Sequence, residues 1–147
     1  MLRSKRLEVV LTLEERREKA ALEKLAEARQ GWERHRQRLD ELRSYHADYR
    51  EQIRRGQQGV VQVRQLQGWQ AFIAQLDQVI AQAERQLEQA ARVMEESRKV
   101  WLLAYERRRG MDKYIVRCRE QEQRTQEAKE QKQLDDAASR MLTRRRP

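Results

Sequence analysis

The residues in this chain with ligand or nucleophile chemistry are His35, His46 and Cys118, the last being its sole thiol. A zinc-type site needs such nitrogen and sulfur ligands converging on one point. A catalytic cysteine needs a neighbouring base and a group that orients that base. Arg117 and Arg119 flank Cys118 and would favour its thiolate, but no base stands nearby in the sequence. Gly56, Gly59 and Gly68 lack the following lysine that a phosphate-binding loop requires. The expectation is therefore a protein that is not an enzyme, with no metal and no cofactor.

Positive charge is the remaining chemical signal. The formal charge is +9, which suits acidic partners: nucleic acid, anionic lipid or an acidic protein surface. The basic residues gather at Arg3, Lys5 and Arg6 and again at Arg107, Arg108, Arg109, Lys113, Arg117 and Arg119. No aromatic side chains interleave them for base stacking, so nucleic acid is not the expected partner.

The elements that would position these residues are helices. Charged residues make up 39% of the chain and aromatic residues 5%, whereas a globular domain usually carries about 25% charge. A 4,3 repeat excludes the alternative of disorder. It runs through Leu11, Leu25, Trp32, His35, Leu39, Leu42, His46, Tyr49 and Ile53. It resumes through Leu66, Trp69, Ile73, Leu76, Ile80, Ala83, Leu87, Met94, Trp101, Arg108, Ile115 and Cys118. The histidines and tryptophans thus read as packed seam residues. Gly56 and Gly59 bracket the break between the two runs.

The predicted fold is all-α: a single domain forming a long two-helix antiparallel coiled-coil hairpin. Arm one covers about 3–55, the turn about 56–61 and arm two about 62–142. At 1.5 Å per residue the arms would extend roughly 80 Å and more than 100 Å. Arm two is expected to lack a partner beyond about 118, leaving a C-terminal helical overhang. Leu134, Ala138, Met141 and Leu142 give that overhang a small apolar face before the terminal Arg144-Arg145-Arg146-Pro147 run.

The flanks of the seam sharpen this reading. With seam positions written a and d, the e positions predict pairs Arg36–Glu84, Arg43–Asp77 and Arg50–Gln70 at one constant register. The g flank predicts Tyr45 near Phe72 and Arg38 near Val79, an aromatic and apolar strip suited to docking. One cysteine permits no intramolecular disulfide and suggests a reducing compartment. The basic start leads into a segment broken by Glu8, without the cleavage region of a signal peptide. No apolar run approaches the ~18 residues of a membrane span. The expectation is a soluble protein of the bacterial cytoplasm with no direct membrane insertion.

Three stretches resemble the FliJ family of flagellar export proteins: Leu42-x-x-Tyr45-x-x-x-Tyr49-Arg50, Gln70-x-Phe72-Ile73-x-x-Leu76-x-x-x-Ile80, and the neighbourhood of Ser97 to Trp101. The resemblance implies an antiparallel coiled coil similar to the stalk subunit of rotary ATP synthases. It implies binding to the hexameric ring of the export ATPase FliI, promotion of ring assembly, a link to the export-gate protein FlhA, and escort of export chaperones. The gate-binding surface it implies comprises Leu42, Tyr45, Tyr49, Phe72 and Leu76, with Arg38, Val79 and Ala83 beside them. The basic residues assigned to the ring are Arg3, Lys5, Arg6, Arg107, Arg108, Arg109 and Lys113. Competing readings are the equivalent stalk of a virulence type III secretion ATPase, a basic nucleic-acid-binding or adaptor coiled coil, and a homodimer without fold-back.

Overall fold

The computed structural model describes residues 1–145; Arg146 and Pro147, the end of the terminal basic run, lie outside the described residues. Two α-helices account for the fold: α1, Arg3–Gly56, and α2, Val63–Arg145, joined by a turn over 57–62. They pack antiparallel as a helical hairpin. Length and continuity follow from composition, because Ala, Leu, Glu, Gln, Lys and Arg dominate and the single proline is residue 147. Acidic residues one turn before arginines add local support at Glu33–Arg36, Glu51–Arg54 and Glu95–Arg98. In each case the hydrogen bond between the partners pushes the arginine pKa up, and Glu51 and Glu95 are pushed down.

The chain divides into two compact units. The turn unit, Ala21–Trp101, contains the end of α1, the turn and the start of α2. Its buried side chains are Ala21, Leu39, Leu76 and Ala83. The terminal unit joins Met1–Ala20 to the chain from Leu102 on, and buries Ser4, Ile115 and Cys118. Both cores are one seam thick. Two helices can shield only the side chains lying between them, so most others keep contact with water.

Within the turn unit the glycines act differently from turn glycines. No described glycine has a positive φ, so Gly56 contributes through its missing side chain. A Cβ there would lie 3.1 Å from Trp69 Cη2. The indole therefore rests on the last turn of α1. Residue 69 lies more than one turn into α2, so the first residues of that helix extend past the end of α1.

The charged pairs differ from the predicted ones. Arg43 pairs with Glu84, Nη2 to Oε1 at 3.2 Å, and not with Asp77. Asp77 instead receives His46 Nε2 at 2.7 Å, while Arg36 turns back to Glu33 on its own helix. Side chains lean toward the N-terminus of their own helix, so tips in an antiparallel pair meet displaced from the backbone level. The partner of Arg43 is accordingly one heptad further along α2 than predicted.

In the terminal unit the pairing reaches further than expected. Glu122 accepts hydrogen bonds from Ser4 N at 2.9 Å and Ser4 Oγ at 2.6 Å. From residue 123 to residue 145 every residue is exposed, Leu134, Met141 and Leu142 among them.

Candidate interaction surfaces

In the turn unit, the g flank carries an aromatic cluster built from both helices. Phe72 of α2 lies between two tyrosines of α1. Its ring centroid is 4.4 Å from that of Tyr49 at a 53° tilt, and 6.2 Å from that of Tyr45 in an edge-on arrangement at 78°. Edge-to-face and tilted pairs suit the ring quadrupoles. The tyrosines meet the same ring because residues four apart share a helix face.

The cluster is open to solvent on one side. Tyr45 is 51% exposed, while Tyr49, Phe72, Leu42 and Val79 are half-buried and Arg38 is exposed. Leu76 and Ala83 are different, being 7% and 4% exposed. They form the floor beneath the strip, and a partner would meet the aromatic rings above them. The opposite flank of this unit is polar, with the His46–Asp77 and Arg43–Glu84 pairs. It also holds a groove of about 400 Å³ between Ile53, Leu66, Trp69 and Ile73, rimmed by Arg50, Gln70 and Asp77. Sequence reasoning missed this groove, since it exists only because α2 runs past the end of α1. The seam residues Leu66 and Trp69, with Ile53 the last seam residue of arm one to face them, were the available signal.

In the terminal unit the basic residues have distinct environments. Arg108 occupies a seam position and points inward. Its Nε meets Glu18 Oε2 at 2.6 Å and its Nη1 meets Asp112 Oδ2 at 2.8 Å. These hydrogen bonds, first from Glu18 and then from Asp112, drive its guanidinium pKa upward. Arg108 also lies over the Tyr105 ring at 5.3 Å. It is thus engaged within the hairpin, whereas Lys5, Arg6, Arg107, Arg109 and Lys113 are exposed. Arg3 is exposed as well and stacks over Tyr114 at 5.4 Å.

The start of α1 is capped from the other helix. The first turn of a helix has amide N–H groups without intrahelical acceptors, and a carboxylate there is favourable to the dipole. Glu122 supplies it, and the Ser4 hydroxyl, then the Ser4 amide, hold its pKa below the ordinary carboxylate value. A serine near a helix start is a recognisable capping signal; its partner, separated by 118 residues, has no local signature.

Among the described residues, no group of His, Cys, Asp and Glu side chains converges as a metal site, and no helix is long and apolar enough to cross a membrane. Against known proteins, a family model described as "Flagellar FliJ protein" matches residues 4–147. No curated protein and no solved structure matches the chain.

Proposed function

Because the chain belongs to the flagellar FliJ family, a family of non-catalytic components of the flagellar protein-export apparatus, we propose that it is the stalk of the export ATPase. In this reading the basic end of the terminal unit binds the hexameric FliI ring and promotes its assembly and ATP hydrolysis. The aromatic strip of the turn unit holds the export-gate protein FlhA. The protein would act in the bacterial cytoplasm at the inner-membrane export apparatus, with escort of export chaperones as a further role.

The observation that carries this reading is the half-exposed Tyr45–Phe72–Tyr49 cluster. Two tyrosines and a phenylalanine held rigid on a two-helix scaffold supply contact area at small entropic cost, the character of an interface anchor. The clustered exposed charge of Arg3, Lys5, Arg6, Arg107, Arg109 and Lys113 supports the ring contact. Arg108 is withdrawn from that role by Glu18 and Asp112.

The test is a titration of the chain into the export ATPase, following ATP hydrolysis and ring assembly together. Both should rise well below one chain per ATPase subunit, and no response in either would remove the stalk reading. A Phe72→Ala chain should lose gate binding while its helicity and ATPase activation persist. Loss of all three would make Phe72 a structural residue only.

A further inference from the structure

The terminal unit has two chemically different edges. One is marked by the Glu8–Arg119 pair and carries charges of both signs. The other is marked by Arg3 stacked on Tyr114. On this second edge the g positions and the adjoining outer c positions contain no Asp or Glu, on α1 from residue 1 to 20 or on α2 from 102 to 122. Arg3 and Arg6 on α1 and Arg107 and Arg117 on α2 give it exposed positive charge. Arg17 adds to it while sharing its charge with Glu14 at 3.3 Å.

Apolar side chains share this edge with the arginines. Val10, Leu13, Leu103 and Tyr114 are 37%, 46%, 54% and 37% exposed. They are the outward apolar residues of helices whose inner faces already hold Leu7, Leu11 and Ile115. A solvated charged face has no use for them.

We propose that this edge of the terminal unit is a docking surface for an anionic lipid bilayer. The inference goes beyond the stalk reading and does not depend on it; because Arg3, Arg6 and Arg107 serve both, ring and bilayer would occupy this end in alternation. Charge complementarity comes first: an acid-free row of arginines matches a surface of phosphates, and each basic residue near such a surface adds attraction. The arrangement of the apolar groups separates lipid from protein. Protein interfaces concentrate their apolar anchors in a desolvated centre ringed by polar groups. Here Val10 and Leu13 lie between Arg6 and Arg17, and Tyr114 lies between Arg107 and Arg117, as in interfacial helices, where guanidinium groups reach headgroups and aliphatic side chains enter the acyl boundary. Tyr114 under Arg3 gives the edge an amphipathic ring of the kind favoured at that depth.

Full-length chain is incubated with vesicles of equal phosphatidylglycerol and phosphatidylcholine at physiological salt, and bound protein is measured by co-sedimentation. Binding is expected to these vesicles and to be lost on pure phosphatidylcholine. Arg107→Glu/Arg117→Glu should lower the partition coefficient at least about thirtyfold, from the attraction per basic residue near an anionic surface. Arg16→Glu/Lys19→Glu, which makes the same change of net charge on the outer side of α1, should lower it less than about threefold. Circular dichroism checks that both variants stay helical. Equal losses in the two variants would reduce the effect to net charge and overturn the assignment. So would an absence of vesicle binding, and so would capture by soluble poly-glutamate without vesicle binding, which would give the edge to an acidic protein.

Discussion

Truncation of Phe72 tests the aromatic cluster most directly. A fully buried Phe→Ala change costs about 3–5 kcal/mol. Phe72 is half-buried, so the transfer and cavity loss is roughly half of that, about 2 kcal/mol. An aromatic pair adds about 0.5–1.5 kcal/mol beyond burial. The Tyr49 pair, at 4.4 Å, should lie near the upper end of that range. The Tyr45 pair, at 6.2 Å with Tyr45 half in water, should lie near its lower end. Phe72→Ala should then cost about 4 kcal/mol in all, lowering Tm by roughly 8–16 °C. The assay is urea and thermal unfolding by far-ultraviolet circular dichroism on two double-mutant cycles, Tyr49→Ala with Phe72→Ala and Tyr45→Ala with Phe72→Ala. Coupling is expected to be larger in the first cycle by about 0.5 kcal/mol or more. Phe72→Leu should recover most of the burial and none of the coupling. A Tyr49 coupling within the ~0.3–0.5 kcal/mol error of additivity, or a larger Tyr45 coupling, would refute the reading of the cluster. The size of the effect matters for function too. A domain of ordinary stability, about 5–15 kcal/mol, survives it, so lost gate binding in Phe72→Ala at 25 °C would report a lost contact.

Three further outcomes follow from single contacts. Glu122 has a folded pKa lowered by Ser4, so its contribution is present above the unfolded carboxylate value near ~4.3 and fades as pH falls through the lower folded value. Hydrogen exchange of the first turn of α1 should accelerate across that acid window, and Glu122→Gln should remove the dependence. Gly56→Leu would drive a side chain into Trp69, whose ring would stand only 3.1 Å from a Cβ at residue 56, at a cost of about 1–3 kcal/mol. Red-shifted tryptophan emission with a lowered Tm is expected, and unchanged emission would dismiss the contact. Gly110 lies inside α2 with open space around its missing Cβ. Gly110→Ala should therefore stabilise the protein by about 0.5–1 kcal/mol, seen as a Tm rise of roughly 1–4 °C.

The sequence alone determined that there are two long helices, where they break, and which stripe of each is buried. The 4,3 spacing of residues such as Leu39 and Leu76 forces apolar side chains onto one face, and that face must be covered. It also brought Tyr45 near Phe72, because both occupy g positions close to the turn. Tertiary structure decided the register of the charged edge. Heptad spacing fixes which stretches face each other but not which way each long side chain reaches, so it cannot tell Asp77 from Glu84 as the partner of Arg43. That choice rests on how far the two side chains reach along their helices, since Tyr45 still meets Phe72 as the heptads predict. The division of Arg107, Arg108 and Arg109 was shared between sequence and tertiary structure. The 4,3 repeat already sets Arg108 apart as a seam residue, but its engagement by Glu18 of the other helix needed the fold. The capping of Ser4 by Glu122 likewise needed the fold, since the carboxylate reaches the helix start only after the chain has doubled back.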